Sequence, residues 1–110
     1  MSGTTASEPP SLPDGVLERL VEAPHPLRII LFGSAARGEM GAGSDFDLMV
    51  VMPPDTDCRA VTMRLYRSLR GLRAPVDLVV VTSDELARHG DKPGLVYRAA
   101  LREGRELYAA

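Results

Sequence analysis

The sequence predicts an α/β domain (α+β in some schemes), with helices packed around a short sheet. Three observations carry that expectation. Leu27 to Phe32, Asp45 to Met52 and Val76 to Thr82 are short apolar runs rich in β-branched residues, bounded by glycine, proline or a candidate helix cap. Segments with helical spacing of apolar residues alternate with them. The whole chain has 110 residues, room for one domain and little more.

Taken in order, Met1 to Pro13 is Ser, Thr, Gly and Pro with few apolar side chains. It reads as a flexible N-terminal tail (1–13) ahead of a folded domain (14–110). Asp14 is a candidate N-cap for a short helix carrying Leu17, Leu20 and Val21, which Pro24 and Pro26 end. Leu27 to Phe32 is a buried strand running into a tight turn at Gly33. Ser34 then caps a short helix, Ala35 to Met40. Asp45 to Met52 is a second strand, broken by Pro53 and Pro54. Asp57 to Arg73 is the clearest helix. Cys58, Val61, Leu65, Leu69 and Leu72 mark its buried face, and Arg59, Arg64, Arg67 and Arg70 lie opposite. Val76 to Thr82 is a third strand. Ser83 caps a following helix with Glu85 in its first turn. A last helix spans Gly94 to Arg102, and Arg105 to Tyr108 forms a short fourth strand.

Composition excludes several classes. Lys plus Arg is 13 against 15 Asp plus Glu, a net charge of −2, so binding of DNA through bulk charge is not expected. One cysteine, Cys58, cannot form an internal disulfide framework or a cysteine-rich zinc site. No apolar run approaches the roughly 20 residues that span a bilayer. The N-terminus has no basic segment followed by an apolar core, so no secretory signal is expected. The expected setting is cytoplasmic, with no membrane partner.

Chemistry concentrates in three places. Gly33-Ser34 closes the first strand, Asp45-Phe46-Asp47 opens the second, and Asp77 lies near the start of the third. Side chains alternate along a strand, so Asp45 and Asp47 share a face about 6.5–7 Å apart while Phe46 and Leu48 enter the core. Asp77, between Val76 and Leu78, repeats that pattern. If the strands are neighbours, the three carboxylates converge, repel one another and shift upward in pKa unless a cation joins them. Hard oxygen donors suit magnesium, and two ions roughly 3.5–4 Å apart clamp the attacking and leaving oxygens of a phosphoryl displacement. Gly33 lets a phosphate approach the backbone, and Ser34 adds a hydroxyl and an amide at a helix start. Arg37, one turn on, offers a charge-assisted contact. Charged residues set among Phe46, Leu48, Met49 and Val50 conflict with a plain buried strand, and such conflicts mark functional sites.

Two glycine-loop alternatives fail. Gly33 to Gly38 has P-loop glycine spacing, but Glu39 and Met40 follow where Lys and Ser or Thr are required. A dinucleotide fingerprint needs Gly-x-Gly-x-x-Gly, and the sequence reads Gly33-Ser34-Ala35-Ala36-Arg37-Gly38.

The segment GSAARGEMGAGSDFDLMVV resembles the signature of the DNA polymerase beta-like nucleotidyltransferase superfamily, Gly-Ser followed by an acid–hydrophobic–acid triplet. The closeness of the two halves and the short chain look most like its minimal nucleotidyltransferase branch, over about Leu27 to Tyr108. The resemblance implies the polymerase beta-like fold, with a short mixed sheet. It implies that Asp45, Asp47 and Asp77 are the metal-binding and catalytic triad, with Asp77 also the candidate base. Gly33 and Ser34 match the residues that hold the nucleoside triphosphate, and Arg37 and Ser44 match positions near its phosphates. The implied activity is magnesium-dependent transfer of AMP from ATP, with two Mg2+ ions, to a hydroxyl. In the minimal branch many members are antitoxins that attach AMP to a tyrosine of a HEPN-type ribonuclease toxin. Two alternatives stay open: transfer to a small molecule such as an aminoglycoside, and a non-catalytic antitoxin that only binds the toxin.

The remaining candidates read as structural. His25 and His89 have no second histidine at ligand spacing. Cys58 belongs to the apolar helix face. Asp84 and Glu85 rival Asp77 as acids but sit at a helix start, where they act as cap and dipole partners. The four arginines form a solvated face, or a docking surface for an acidic partner or for a nucleotide or RNA acceptor. Tyr66 points toward the exposed side, available to a partner.

Overall fold

The computed structural model describes residues 12–13, 15–22, 25–36, 45–72, 75–89 and 96–110. The expected tail residues 1–11, the cap at Asp14, the second half of the Ala35–Met40 helix and the start of the last helix at Gly94 lie outside the described residues.

The elements are α1 (Val16–Glu22), β1 (Arg28–Phe32), α2 (Gly33–Ala36), β2 (Phe46–Met52), α3 (Cys58–Ser68), β3 (Val76–Thr82), α4 (Ser83–His89), α5 (Val96–Glu103) and β4 (Arg105–Ala109). All three expected strands form, and so does the fourth. The four strands make one mixed sheet in the order β3-β2-β1-β4. β1 runs antiparallel to β2 and β4, whereas β2 and β3 are parallel. Parallel strands need a crossover, and α3 supplies it, leaving β2 and returning into β3.

The two central strands are buried on both faces, which is why their sequences are continuously apolar. Alternate residues divide between two cores. One holds Ile29, Leu31, Phe46, Leu48, Val50, Met52 and Leu78 under Val16 and Leu20 of α1 and Val61 and Leu65 of α3. Leu12 packs against it. The other holds Ile30, Phe32, Met49, Val51 and Val81 under Leu86 of α4 and Ala100 of α5.

Asp57 caps α3 through its Oδ1, which accepts the Ala60 N–H at 3.1 Å. The apolar stripe is placed as the spacing predicts, and all four arginines are exposed. The helix ends at Ser68 and not at Arg73. Beyond it the backbone tightens into i→i−3 bonds, Arg70 N to Arg67 O and Leu72 N to Leu69 O, and Gly71 turns away at φ +89°. Cys58 is half-buried, and burial, then Glu85, Asp57 and Asp84, push its thiol up and keep it protonated.

The cap of α4 is one residue earlier than the sequence suggests. Thr82 and Glu85 form a reciprocal capping pair: Glu85 N–H donates to Thr82 Oγ1 at 3.4 Å, and Glu85 Oε1 accepts from the Thr82 hydroxyl at 3.1 Å and the Thr82 N–H at 3.4 Å. β3 is an edge strand, and side chains cover its outer rim at two points. Glu85 takes the Thr82 amide, and the Tyr66 hydroxyl accepts the Leu78 N–H at 2.9 Å. Tyr66, 40% exposed, lies on the open side of α3 as its position in the helix predicts, but its hydroxyl is fastened to the sheet.

Candidate functional site

The register of the sheet decides which acids meet. Phe32 pairs with Asp47 in the antiparallel β1–β2 ladder, and Asp47 pairs with Asp77 in the parallel β2–β3 ladder. One row thus crosses three strands at the end of the sheet where β1 stops and β2 and β3 begin. Paired side chains point to the same face, and neighbouring strands lie about 4.8 Å apart. Phe32 in this row is buried in the α4–α5 core, Asp47 is half-buried, and Asp77 is exposed. The row passes from apolar packing to open carboxylates within three residues. Phe46 and Leu48, flanking Asp47, both enter the opposite core.

Asp45 is exposed and immediately precedes β2, which starts at Phe46 and not at Asp45. Its charge still reaches the row. The Asp47 carboxyl is held above its ordinary value by burial first, then by Asp77, then by Asp45.

Gly33 closes the site on the β1 side. It is the first residue of α2 and takes φ +73°, a backbone region that side-chain-bearing residues avoid. A Cβ at this position would collide with the Asp47 carboxylate oxygen Oδ2. Glycine is needed here twice over, for the turn and for the closeness of the acid. Ser34 follows as the second residue of α2. Arg37 and Ser44 lie outside the described residues.

Asp84 and Glu85 separate cleanly from the row. Glu85 is spent on the α4 cap. The Thr82 hydroxyl, with help from backbone amides and Arg88, holds the Asp84 carboxyl below the usual range, and Arg88 pairs with it at 3.6 Å. Both acids stabilise a helix start.

Among the described residues, no group of three or more metal-ligating side chains is gathered tightly enough to hold an ion in this arrangement. The donor chemistry of the row nevertheless suits one. Asp45, Asp47 and Asp77 offer carboxylate oxygens, the preference of a hard divalent cation. Such a cation would offset the burial and the acid–acid repulsion that push Asp47 upward.

Comparisons with known proteins give the family and the fold. The family model described as a nucleotidyltransferase domain matches residues 14–107. No curated protein matches the chain. Among solved structures, a toxin–antitoxin with AMP-PNP is 23% identical with a TM-score of 0.61, covering 86% of this chain and 72% of its own. A mutant of the toxin–antitoxin MntA-HpeT, in which two aspartates two positions apart are glutamate, is 21% identical with a TM-score of 0.59, covering 86% and 71%. A Sulfolobus solfataricus protein solved as a proposed nucleotidyltransferase is 21% identical with a TM-score of 0.58, covering 86% and 74%.

Proposed function

Because the chain belongs to the nucleotidyltransferase domain family and has the polymerase beta-like fold, we propose that it transfers AMP from ATP to a hydroxyl of a partner protein. The acceptor is a tyrosine of a HEPN-type ribonuclease toxin, and the chain acts as the antitoxin in the cytoplasm. The observation that carries the reading is the row Asp47–Asp77, with Asp45 beside it and Gly33 pressed against Asp47. Two structural neighbours that are toxin–antitoxins support it, one with AMP-PNP and one altered at an aspartate pair with the spacing of Asp45 and Asp47.

In this reading Asp45, Asp47 and Asp77 hold two Mg2+ ions. Bound magnesium neutralises the phosphates and stabilises the attacking and leaving oxygens. Gly33 and Ser34 hold the triphosphate, Gly33 by leaving its backbone open and Ser34 from the start of α2. Arg37 and Ser44 stand near the phosphates. Asp77, the most open acid of the row, accepts the acceptor's proton. The tyrosyl oxygen then bonds to the α-phosphorus as the bond to the α,β-bridging oxygen breaks. Pyrophosphate leaves with that electron pair. Phe32 and the α4–α5 core close one side of the row against water and keep the acids in place.

The test is incubation with the co-purifying partner, Mg2+ and ATP labelled at the α-phosphate. The expected result is label on a partner tyrosine, lost in Asp47→Asn. Full neutralisation of the toxin by an equimolar Asp45→Ala, Asp47→Ala double variant overturns the catalytic reading in favour of simple binding. Pyrophosphate release driven by an aminoglycoside alone overturns the protein acceptor.

A further inference from the structure

The Tyr66 hydroxyl ties α3 to the outer rim of the sheet by a hydrogen bond, and it does so beside the acid row. It accepts the Leu78 N–H at 2.9 Å, one residue after Asp77. Among the described residues β3 is bonded to another strand on one side only, so the Leu78 amide faces outward with no described strand to pair with. On the inner side, the Phe46 N–H donates to Pro75 O at 2.7 Å, anchoring the chain just before β3 begins. Asp77 is bracketed between these two fastenings, inner at Pro75 and outer at Leu78. It is itself exposed and lies near the free end of an edge strand, where pairing frays most easily.

From this we infer that Tyr66 is a positioning residue for the acid row: its hydroxyl fixes the first turn of β3 and so holds Asp77 abreast of Asp47. The inference rests on the proposed phosphoryl-transfer site. Tyr66 does not touch the reacting groups. It acts through the backbone of Leu78, as outer partners of metal ligands do. A hydroxyl is needed because the rim presents an amide and requires an acceptor, whereas the aromatic ring alone can only cover it. Tyr66 lies next to Leu65, which is fully buried in the α1–α3 core, so the helix backbone that carries the hydroxyl is itself well anchored.

The experiment compares the wild type with Tyr66→Phe, which removes only the hydroxyl, and with Glu85→Ala, which releases the rim at the opposite end of β3. Three quantities are read: hydrogen exchange of the Leu78 amide, Mn2+ affinity from the resonance of the free ion, and the melting temperature. Tyr66→Phe is expected to expose the Leu78 amide to exchange and to weaken Mn2+ binding by about 10-fold, the lower end of the effect of outer partners. Glu85→Ala is expected to lower the melting temperature by at least as much and to leave Mn2+ affinity unchanged. Unaltered exchange at Leu78, or equal loss of Mn2+ affinity in both variants, overturns the inference and leaves Tyr66 merely structural. Wild-type binding of Mn2+ that Tyr66→Phe preserves overturns it while leaving the site intact. Absence of Mn2+ binding in the wild type overturns the metal site first, and the positioning role with it.

Discussion

The same strands present two unlike faces. Under α1 and α3, the strands supply an apolar layer that runs from Ile29 and Leu31 through Leu48 and Val50 to Leu78. Under α4 and α5, the face starts the same way with Ile30, Met49, Val51 and Val81, but its last row ends in Asp47 and Asp77. The first face is given mainly to burial. The second gives up part of its apolar surface at one end and gains a cluster of charge. Stability and chemistry are thus written into alternate positions of the same strands, because the pleat sends neighbours to opposite sides.

The largest expected effect tests the first face. Leu48→Ala removes a fully buried β2 side chain from the core under α1 and α3 and is expected to cost about 3 kcal/mol in denaturant unfolding. Leu86→Ala, on the thinner second face, is expected to cost about 2 kcal/mol. Equal costs at the two positions would break the asymmetry. Next comes Gly33→Ala. Alanine at φ +73° costs about 1–2 kcal/mol. The added carbon must also displace the Asp47 carboxylate, so AMP transfer should fall far more than stability does. A variant that unfolds more easily yet transfers AMP normally would detach Gly33 from the site. Thr82→Ala removes the α4 cap at about 1 kcal/mol, with activity unchanged, since that cap lies at the far end of β3 from the acids.

The smallest effect has the opposite sign. Burial and its two acidic neighbours raise Asp47 above its unfolded value, so the folded protein holds that proton more tightly than the unfolded chain. Wild-type stability therefore falls as pH rises from the ordinary carboxylate range through the raised value. Asp47→Asn lacks this loss. Measured without metal, it should melt slightly above the wild type at neutral pH and lose that advantage as pH falls below the ordinary carboxylate range. A variant that gains stability while losing activity is what a strained functional site predicts.

Much of this was legible in the sequence, and the limits have physical causes. The strands showed because β1 and β2 are buried on both faces and leave unbroken apolar runs. Asp47 and Asp77 stood out because charge inside such runs has no packing explanation. That they lie directly abreast depends on register, which is fixed between strands 30 residues apart by sequence number and leaves no local signal. Apolar spacing puts the end of α3 too late because Leu69 and Leu72 keep it through a turn that is no longer α-helical. Residue type alone does not separate Ser83 from Thr82 as the α4 cap, because both are good caps. The Thr82-x-x-Glu85 spacing was the available clue. The tie from Tyr66 to Leu78 joins a helix to a strand rim, and periodicity alone carries no trace of it.

The central claim is that the acid row performs nucleotidyl transfer. Its most direct test is transfer of α-labelled AMP from ATP to the co-purified partner by the wild type and by Asp47→Asn, both verified as folded. Label on a tyrosine of the partner with the wild type, and none with Asp47→Asn, is the predicted result. Equal labelling by both proteins, or none by a folded wild type that binds ATP, would contradict the account.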